Sequence, residues 1–366
     1  MTTNRDIAVQ VTDLSKNYGT VQALRGVDLS IAAGEYFVLL GPSGGGKTTL
    51  LRLLGGFIRP SGGQILLHGQ DVSEQPPNHR PTSMVFQSFA LFPHMTVAQN
   101  VGYGLRLRKL PKAEVDDRVG AMLDLVGLAD LTDRMPHALS GGQQQRVQLG
   151  RALVLETDIL LLDEPLAALD AKLRKDMCLE LKHLQEQVGI TFVHVTHNQE
   201  EAMTVADNMA IIADGELVET GTARTLYENP RRRFTADFIG ENNIFTGRVT
   251  GSAEGVVEVD LGFAKVTLNA GDQATAVGAD VAVSIRSELV EVLAPGVTAD
   301  PALQAMTASY GEAVYLGLAT SHVAKLPNDQ AIVARHVSRG EAPAAIVPGT
   351  EVELAWPRSL MRLHLS

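Results

Sequence analysis

The stretch Gly41-Pro42-Ser43-Gly44-Gly45-Gly46-Lys47-Thr48 decides the fold of this chain. It fits the pattern G-x-x-x-x-G-K-[ST], in which a glycine-rich loop cradles phosphate groups. The apolar, strand-like run 36–40 precedes it and the helix-like run 49–54 follows it, which is the context that the pattern requires. The sequence therefore predicts a strand, a phosphate-binding loop and a helix, as parts of an α/β domain.

The residue types of this loop suit a nucleoside triphosphate. Glycines let successive backbone N–H groups point at phosphate oxygens, and the following helix presents the positive end of its dipole. We expect Lys47 to reach the β- and γ-phosphates and the Thr48 hydroxyl to ligate Mg²⁺. The alternative, a flexible glycine-rich turn, does not explain the lysine, the threonine and the strand–loop–helix frame together. The residues predicted to bind nucleotide here are Gly41, Pro42, Ser43, Gly44, Gly45, Gly46, Lys47, Thr48 and Thr49.

The amino-acid composition limits the classes to which this protein can belong. The 366 residues are 45% hydrophobic and 20% charged, which is ordinary for a soluble protein of two or three domains. The net charge of −11 argues against nucleic acid as a partner. A single cysteine, Cys178, excludes an internal disulfide and favours a reducing compartment. The sequence shows neither an apolar signal region nor a run of 18 apolar residues, so we expect any membrane role to come through a partner.

Two regions differ in their hydrophobic pattern. Residues 1–240 mix strand-like and helix-like periods, with a helix-rich stretch over about 97–155. Residues 241–366 alternate apolar and polar residues in short runs, which predicts a small β-barrel or sandwich. A barrel of the oligonucleotide-binding type is one candidate fold for residues 241–366. With 8 basic and 14 acidic residues, however, this region is a poor candidate for binding nucleic acid.

A second signal of phosphate chemistry lies far downstream, in Ile-Leu-Leu-Leu-Asp-Glu at 159–164. This short, wholly apolar run predicts a buried parallel strand, whose carboxyl end would place Asp163 where nucleotides bind. We expect Asp163 to hold Mg²⁺ and Glu164 to orient the attacking water. Taken alone, the run could be a strand that simply ends in polar residues.

The segment 139–146 opens another predicted helix. Ser140, followed by Gly141 and Gly142, has the form of an N-cap and of an anion site at a helix N-terminus. An ordinary capped helix is the alternative for this stretch considered alone.

With these motifs, residues 5–240 resemble the ATPase subunit of an ATP-binding cassette (ABC) transporter. Ser140-Gly141-Gly142-Gln143 is similar to the signature sequence of that family, and it lies between the two phosphate motifs as the family requires. The resemblance implies a cassette fold with a helical subdomain. Alone, each remaining match could be an ordinary strand or loop residue, but all occur in the family's order. They are Tyr18, stacking on adenine; Gln87, sensing Mg²⁺ and the γ-phosphate; Asp170, in a loop at the dimer interface; and His197, on the γ-phosphate.

The resemblance also implies a mechanism and cofactors, ATP and Mg²⁺. In the family, ATP lies between the phosphate loop of one subunit and the signature sequence of a second, so a homodimer with two competent sites is implied. Lys47 supplies positive charge, Glu164 polarises the water and His197 holds the γ-phosphate; these three are the implied catalytic residues. Thr48, Gln87 and Asp163 are the implied metal ligands. Related importers often carry cysteine at the position of Gly45, so this chain lacks a reactive thiol there.

The downstream region narrows the kind of transporter. It resembles the OB-like β-domain, called TOBE, of importer ATPases, through Gly240–Phe245, Ser284–Glu288 and Tyr315–Gly317. Ser287 stands where the family usually has proline, so that loop is expected to differ. Residues 87–104 resemble the spermidine/putrescine and ferric-iron branch. The family docks a coupling helix of the membrane subunit there, which implies an exposed apolar groove formed by Phe89, Leu91, Phe92 and Pro93; burial of these aromatic residues in the core is the alternative.

The resemblance therefore implies an ATPase that powers import from the cytoplasmic face of the membrane, with two permease subunits and, indirectly, a solute-binding protein. The preferred substrate is a polyamine or a related organic cation; ferric iron, a sugar or another solute is the alternative. A soluble cassette ATPase acting on DNA or ribosomes is a second hypothesis, which the acidic charge disfavours. A third treats residues 241–366 as a ligand-sensing or protein-binding regulatory module, and it can coexist with the first.

Overall fold

The computed structural model describes residues 6–88, 90–253, 255–269, 276–338 and 346–365. The chain divides into two compact units, Met1–Ala223 and Arg224–Ser366. The sequence predicts a division near residue 240, and in the structure the boundary between the two units falls between Ala223 and Arg224.

The first unit is an α/β unit, as predicted. Its strands are β1 (Ile7–Tyr18), β2 (Val21–Ala32), β3 (Tyr36–Leu40), β4 (Gly62–Leu67), β5 (Gln70–Asp71), β6 (Thr82–Val85), β7 (Ile159–Asp163), β8 (Thr191–Thr196), β9 (Asn208–Ala213) and β10 (Glu216–Gly221). Its helices are α1 (Lys47–Leu54), α2 (Val97–Val101), α3 (Tyr103–Leu107), α4 (Lys112–Leu125), α5 (Gly141–Leu153), α6 (Ala171–Val188) and α7 (Gln199–Val205).

A six-stranded sheet, in the order β10-β9-β3-β8-β7-β6, carries the functional residues. The five strands from β9 to β6 are parallel, and β10 pairs antiparallel with β9. All residues of β3 and β7 are buried, because helices and the second sheet cover both faces of a parallel sheet. The prediction that the run before Asp163 is a buried parallel strand is confirmed.

An antiparallel sheet, in the order β2-β1-β4-β5, packs against this core. Its apolar residues share one cluster with α1 and the parallel strands, including Leu14, Leu24, Leu39, Leu50 and Leu161. Helices α2 to α5 enclose a separate apolar cluster that includes Val101, Val119 and Val147. The helix-rich stretch predicted from the sequence therefore forms a helical subdomain with its own core.

The second unit is β-rich, as predicted. After α8 (Ala223–Glu228) and α9 (Arg233–Phe238), it has strands β11 (Asn242–Ala253), β12 (Val256–Asp260), β13 (Lys265–Asn269), β14 (Asp280–Arg286), β15 (Glu291–Val292), β16 (Leu303–Tyr315), β17 (Ala319–Lys325), β18 (Ala331–Val337), β19 (Glu351–Pro357) and β20 (Arg362–Leu365). These form two antiparallel five-stranded sheets, β13-β12-β11-β14-β20 and β15-β19-β16-β17-β18. One apolar cluster, with the fully buried Trp356 and Phe245, lies between the sheets.

Candidate nucleotide site

The phosphate loop connects β3 to α1, and close approaches of the backbone require glycine at Gly41 and Gly46. Gly46, the N-cap of α1, has φ +107°, and a Cβ there would lie 2.8 Å from the Ala23 carbonyl oxygen. A Cβ on Gly41 would lie 2.0 Å from the carbonyl oxygen of Ile212 in β9. Larger residues at these two positions would have to displace the backbone, so the loop is held tightly between β2 and β9.

Lys47 is buried at the start of α1, inside the loop. Its Nζ donates to the carbonyl oxygens of Gly41 and Pro42, at 2.8 Å each. Burial lowers the pKa of this ammonium group, and the nearby carboxylates of Glu164 and Asp163 act in the opposite direction. The loop therefore folds around its own lysine, and its carbonyls keep the cation beside the phosphate-binding backbone.

Thr48 and Asp163 supply adjacent oxygen atoms at the end of β7. The Thr48 hydroxyl donates to Asp163 Oδ1 at 3.1 Å. Burial raises the pKa of Asp163, and the hydrogen bond from Thr48 opposes this shift. A hydroxyl beside a buried carboxylate is the hard oxygen chemistry that Mg²⁺ prefers, so these two residues fit the predicted cation.

Glu164 follows β7 in a left-handed backbone conformation, with φ +46°. Such a φ is uncommon for a residue with a side chain and is often found at functional sites. One carboxylate oxygen, Oε2, accepts a hydrogen bond from Gln87 Nε2 at 3.3 Å and lies 3.3 Å from His197 Nδ1. Three residues predicted from separate motifs therefore meet at one oxygen atom.

The signature segment begins α5. Ser140 Oγ accepts from the Gln143 backbone N–H at 3.3 Å, and Gln143 Oε1 accepts from the Ser140 N–H at 2.9 Å. This is a capping box, so the N-cap predicted for Ser140 is confirmed. Gly142 is buried, and a Cβ there would lie 3.3 Å from Leu173 in α6. The contact of Ser140, Gly141, Gly142 and Gln143 with a nucleotide stays a prediction, because the family places it in a second subunit.

Asp170 lies at the N-cap of α6 and Tyr18 at the end of β1, and their predicted contacts at the dimer interface and with adenine stay predictions. The Asp170 carboxylate caps α6 by accepting from the Leu173 N–H at 3.0 Å. Tyr18 ends β1 with 49% of its surface exposed, and Lys16 Nζ lies 5.1 Å from its ring centroid. It opens the turn into β2, the strand that contacts the phosphate loop at Gly46. An exposed ring at this place is available for stacking, but its contact with adenine stays a prediction.

The structure describes three of the four residues of the predicted docking groove, namely Leu91, Phe92 and Pro93. Phe89 lies outside the described residues. Leu91 is half-buried and packs against the helical core, and the Phe92 ring lies 4.5 Å from that of Tyr103. Pro93 is exposed. The described residues thus combine partial burial with exposure, and the groove remains a prediction.

Sequence reasoning missed two buried polar residues beside the site, Gln148 and Glu201. Gln148, in α5, donates to the carbonyl oxygens on either side of Gln87. Glu201, which is 5% exposed, lies 3.4 Å from Arg174 Nε and accepts from the Thr196 hydroxyl at 2.6 Å. The only signal in the sequence is a polar residue on the apolar face of an amphipathic helix.

These geometries define the class of protein: a P-loop nucleotide-binding unit with acidic, glutamine and histidine side chains gathered behind its phosphate loop. Residues 24–167 match the family model described as ABC transporter. The spermidine/putrescine import ATP-binding protein PotA of Rubrobacter xylanophilus is 44% identical over 96% of this chain and 92% of its own length. The protein of the same name from Thermobifida fusca is 44% identical over 95% of this chain and 91% of its own length.

A solved structure agrees with these relatives. CbiO1 from Clostridium perfringens, described as part of the ABC transporter complex cbiONQ, has a TM-score of 0.58 and 31% identity. The match covers 62% of this chain and 92% of that one. The chain belongs to the family of ABC transporter ATP-binding proteins, and it is an ATPase. Within the described residues, every helix is too short or too polar to cross a membrane.

Proposed function

We propose that this chain hydrolyses ATP to power the import of a polyamine, as the ATP-binding subunit of an ABC importer. The observation that carries the proposal is the identity of 44% to spermidine/putrescine import ATP-binding proteins along nearly the whole chain. This similarity extends beyond the ATPase unit into the β-rich unit. Ferric iron, a sugar or another solute is the alternative cargo for the same chemistry.

Glu164 is the proposed group that orients and polarises the attacking water. Its Oε2 is held by Gln87 and faces His197, so the carboxylate has a fixed direction. His197 and Lys47 are both proposed to contact the γ-phosphate. Positioning and charge stabilisation are the main requirements of phosphoryl transfer, and these side chains supply both.

Mg²⁺ is the proposed metal, held by Thr48 and Asp163 with Gln87 nearby. When bound, the ion neutralises charge on the phosphate oxygens. Two copies of the chain are proposed to enclose ATP, with Ser140 and the following glycines of one copy facing the phosphate loop of the other. The proposed partners are two permease subunits at the cytoplasmic face of the membrane and, through them, a solute-binding protein.

Uptake measurements in the source organism test the proposal. Deletion of the gene should abolish uptake of labelled spermidine or putrescine, and the wild-type chain should restore it. Lys47→Ala should not restore it, because the substituted loop lacks the phosphate-binding cation. Normal polyamine uptake in the deletion strain, with loss of ferric-iron or sugar uptake, would reject the proposed cargo and leave the ATPase assignment intact.

A further inference from the structure

Gln148 lies on the buried face of α5, the helix that begins at the signature segment. Only 1% of the residue is exposed. Its Nε2 donates to the Phe86 carbonyl oxygen at 2.9 Å and to the Ser88 carbonyl oxygen at 3.2 Å. One side-chain amide therefore holds the backbone on both sides of Gln87, from a position 62 residues from Phe86 in the sequence.

The held segment contains no regular secondary structure of its own. Strand β6 ends at Val85, and Gln87 lies in a bend two residues later. Without strand or helix partners, its carbonyl groups depend on side chains or water for hydrogen bonds. The Gln148 amide supplies that support at the Phe86 carbonyl, which belongs to the peptide group joined to Gln87, and at the Ser88 carbonyl of the next residue.

A second side chain of the same helix face reinforces this contact. Arg151, three residues after Gln148, donates from Nη1 to the Ala90 carbonyl oxygen at 2.8 Å. Residues three apart on a helix lie on one face, so both side chains reach the same segment. Side-chain donors of the α5 helix thus hold the carbonyl groups of Phe86, Ser88 and Ala90.

The oxygen atom of the Gln148 amide indicates that a contribution to stability is not the reason for a glutamine at this position. Its Oε1 is buried and has no hydrogen-bond partner among the described residues. Burying an unpaired carbonyl oxygen costs free energy, and an apolar side chain of the same length would avoid this cost. What an apolar residue could not supply is the pair of hydrogen bonds to Phe86 and Ser88.

We propose that Gln148 is a positioning residue for ATP hydrolysis, which fixes the peptide carbonyls on both sides of Gln87 and so holds the Gln87 amide against Glu164. Gln148 touches neither the phosphate loop nor Glu164 through any described hydrogen bond, so it acts through Gln87. The inference rests on the proposed role of Gln87 and Glu164. It makes the geometry of the Glu164 carboxylate depend on α5, the helix that Ser140 caps.

The test compares Gln148→Met with Gln185→Met in the full-length chain. Gln185 is a matched control: it is 3% exposed, and its Nε2 also bridges two backbone carbonyls, of Gly34 at 2.8 Å and Ile190 at 3.1 Å. Both variants lose equivalent bonds, but only one of them supports Gln87. We expect Gln148→Met to lower kcat about tenfold and to change the Kd for Mg-ATP by less than about twofold, and Gln185→Met to leave both within about twofold.

A double-mutant cycle tests whether Gln148 acts on turnover through Gln87. In a Gln87→Ala background, Gln148→Met should lower kcat no further, because the side chain that it positions is gone. Hydrogen exchange of residues 86–88 should also be faster in Gln148→Met than in wild type and Gln185→Met. That readout does not need turnover, so an inactive wild-type protein would contradict the proposed function and still allow the support of the Gln87 segment by Gln148 to be tested.

Several results would overturn the inference. They are an unchanged kcat in Gln148→Met, an equal loss in Gln185→Met, an additive loss in the Gln87→Ala background, or unchanged exchange at residues 86–88. Gln148→Glu provides a second variant, since it keeps the length of the side chain and removes the donor. Failure of both Gln148 variants to fold would show that the residue is needed for the fold and not for positioning.

Discussion

Oε2 of Glu164 lies 3.3 Å from Nδ1 of His197, and the same oxygen accepts a hydrogen bond from Gln87. These three side chains come from three separate segments, which follow β7, β8 and β6 in the parallel sheet. Because these strands are neighbours in the order β8-β7-β6, their carboxyl ends bring the three residues to one place. The site is thus a consequence of strand order.

Glu164→Gln should retain ATP binding and lose most of the turnover. The amide keeps the size of the side chain, but it cannot act as the carboxylate that polarises water, and losses of about 100-fold or more are expected for such a group. ATP should then accumulate in the protein and hold two copies together. Size-exclusion chromatography with and without Mg-ATP, alongside a phosphate-release assay, measures both effects. Wild-type turnover, or a monomer in the presence of ATP, would contradict the proposed role.

Sequence reasoning could find the residues of this site that belong to a continuous motif. The phosphate loop and the apolar run before Asp163 are each read from adjacent residues, and the structure places them at the ends of β3 and β7. Gln148 could not be found in this way, because its partners are backbone carbonyls distant in the sequence. A carbonyl has no residue type, so no pattern of amino acids records such a contact.

The ion pair between Arg174 and Glu201 should contribute more to the free energy of unfolding than an exposed ion pair does. Arg174 also donates from Nη2 to the Leu169 carbonyl oxygen at 2.8 Å, so it links the loop after Glu164 to the start of α7. Arg174→Met would leave the Glu201 carboxylate buried without its cation, which costs about 2 kcal/mol or more.

Arg118→Met is the control for this variant, because Arg118 pairs with Glu114 and Glu156 near the surface. Its loss should cost less than about 1 kcal/mol. Urea denaturation followed by circular dichroism compares the two variants with wild type. Equal losses of stability would mean that burial of Glu201 adds nothing to the strength of the pair.

ATPase activity should resist maleimides. The only cysteine, Cys178, is 3% exposed, and burial raises the pKa of its thiol to about 12. At pH 7 only about one thiol in 10⁵ would then be the reactive thiolate. Incubation with N-ethylmaleimide should leave the rate unchanged, whereas urea-unfolded protein should take up one label per chain. Rapid inactivation that ATP prevents would place this thiol in contact with the nucleotide site.

Acid should destabilise the first unit partly through His194. This ring is fully buried, its Nδ1 lies 3.0 Å from the Tyr36 hydroxyl, and burial lowers its pKa from 6.5 to about 3. Between these two pKa values the unfolded chain binds a proton that the folded chain does not, so the free energy of unfolding falls as pH falls below about 6.5. The loss from this group should reach about 2 kcal/mol at pH 5. His194→Gln keeps a polar partner for Tyr36 and removes the titration, so its urea midpoint should fall less than that of wild type between pH 7 and pH 5. Equal falls in the two proteins would show that His194 does not contribute to the acid sensitivity.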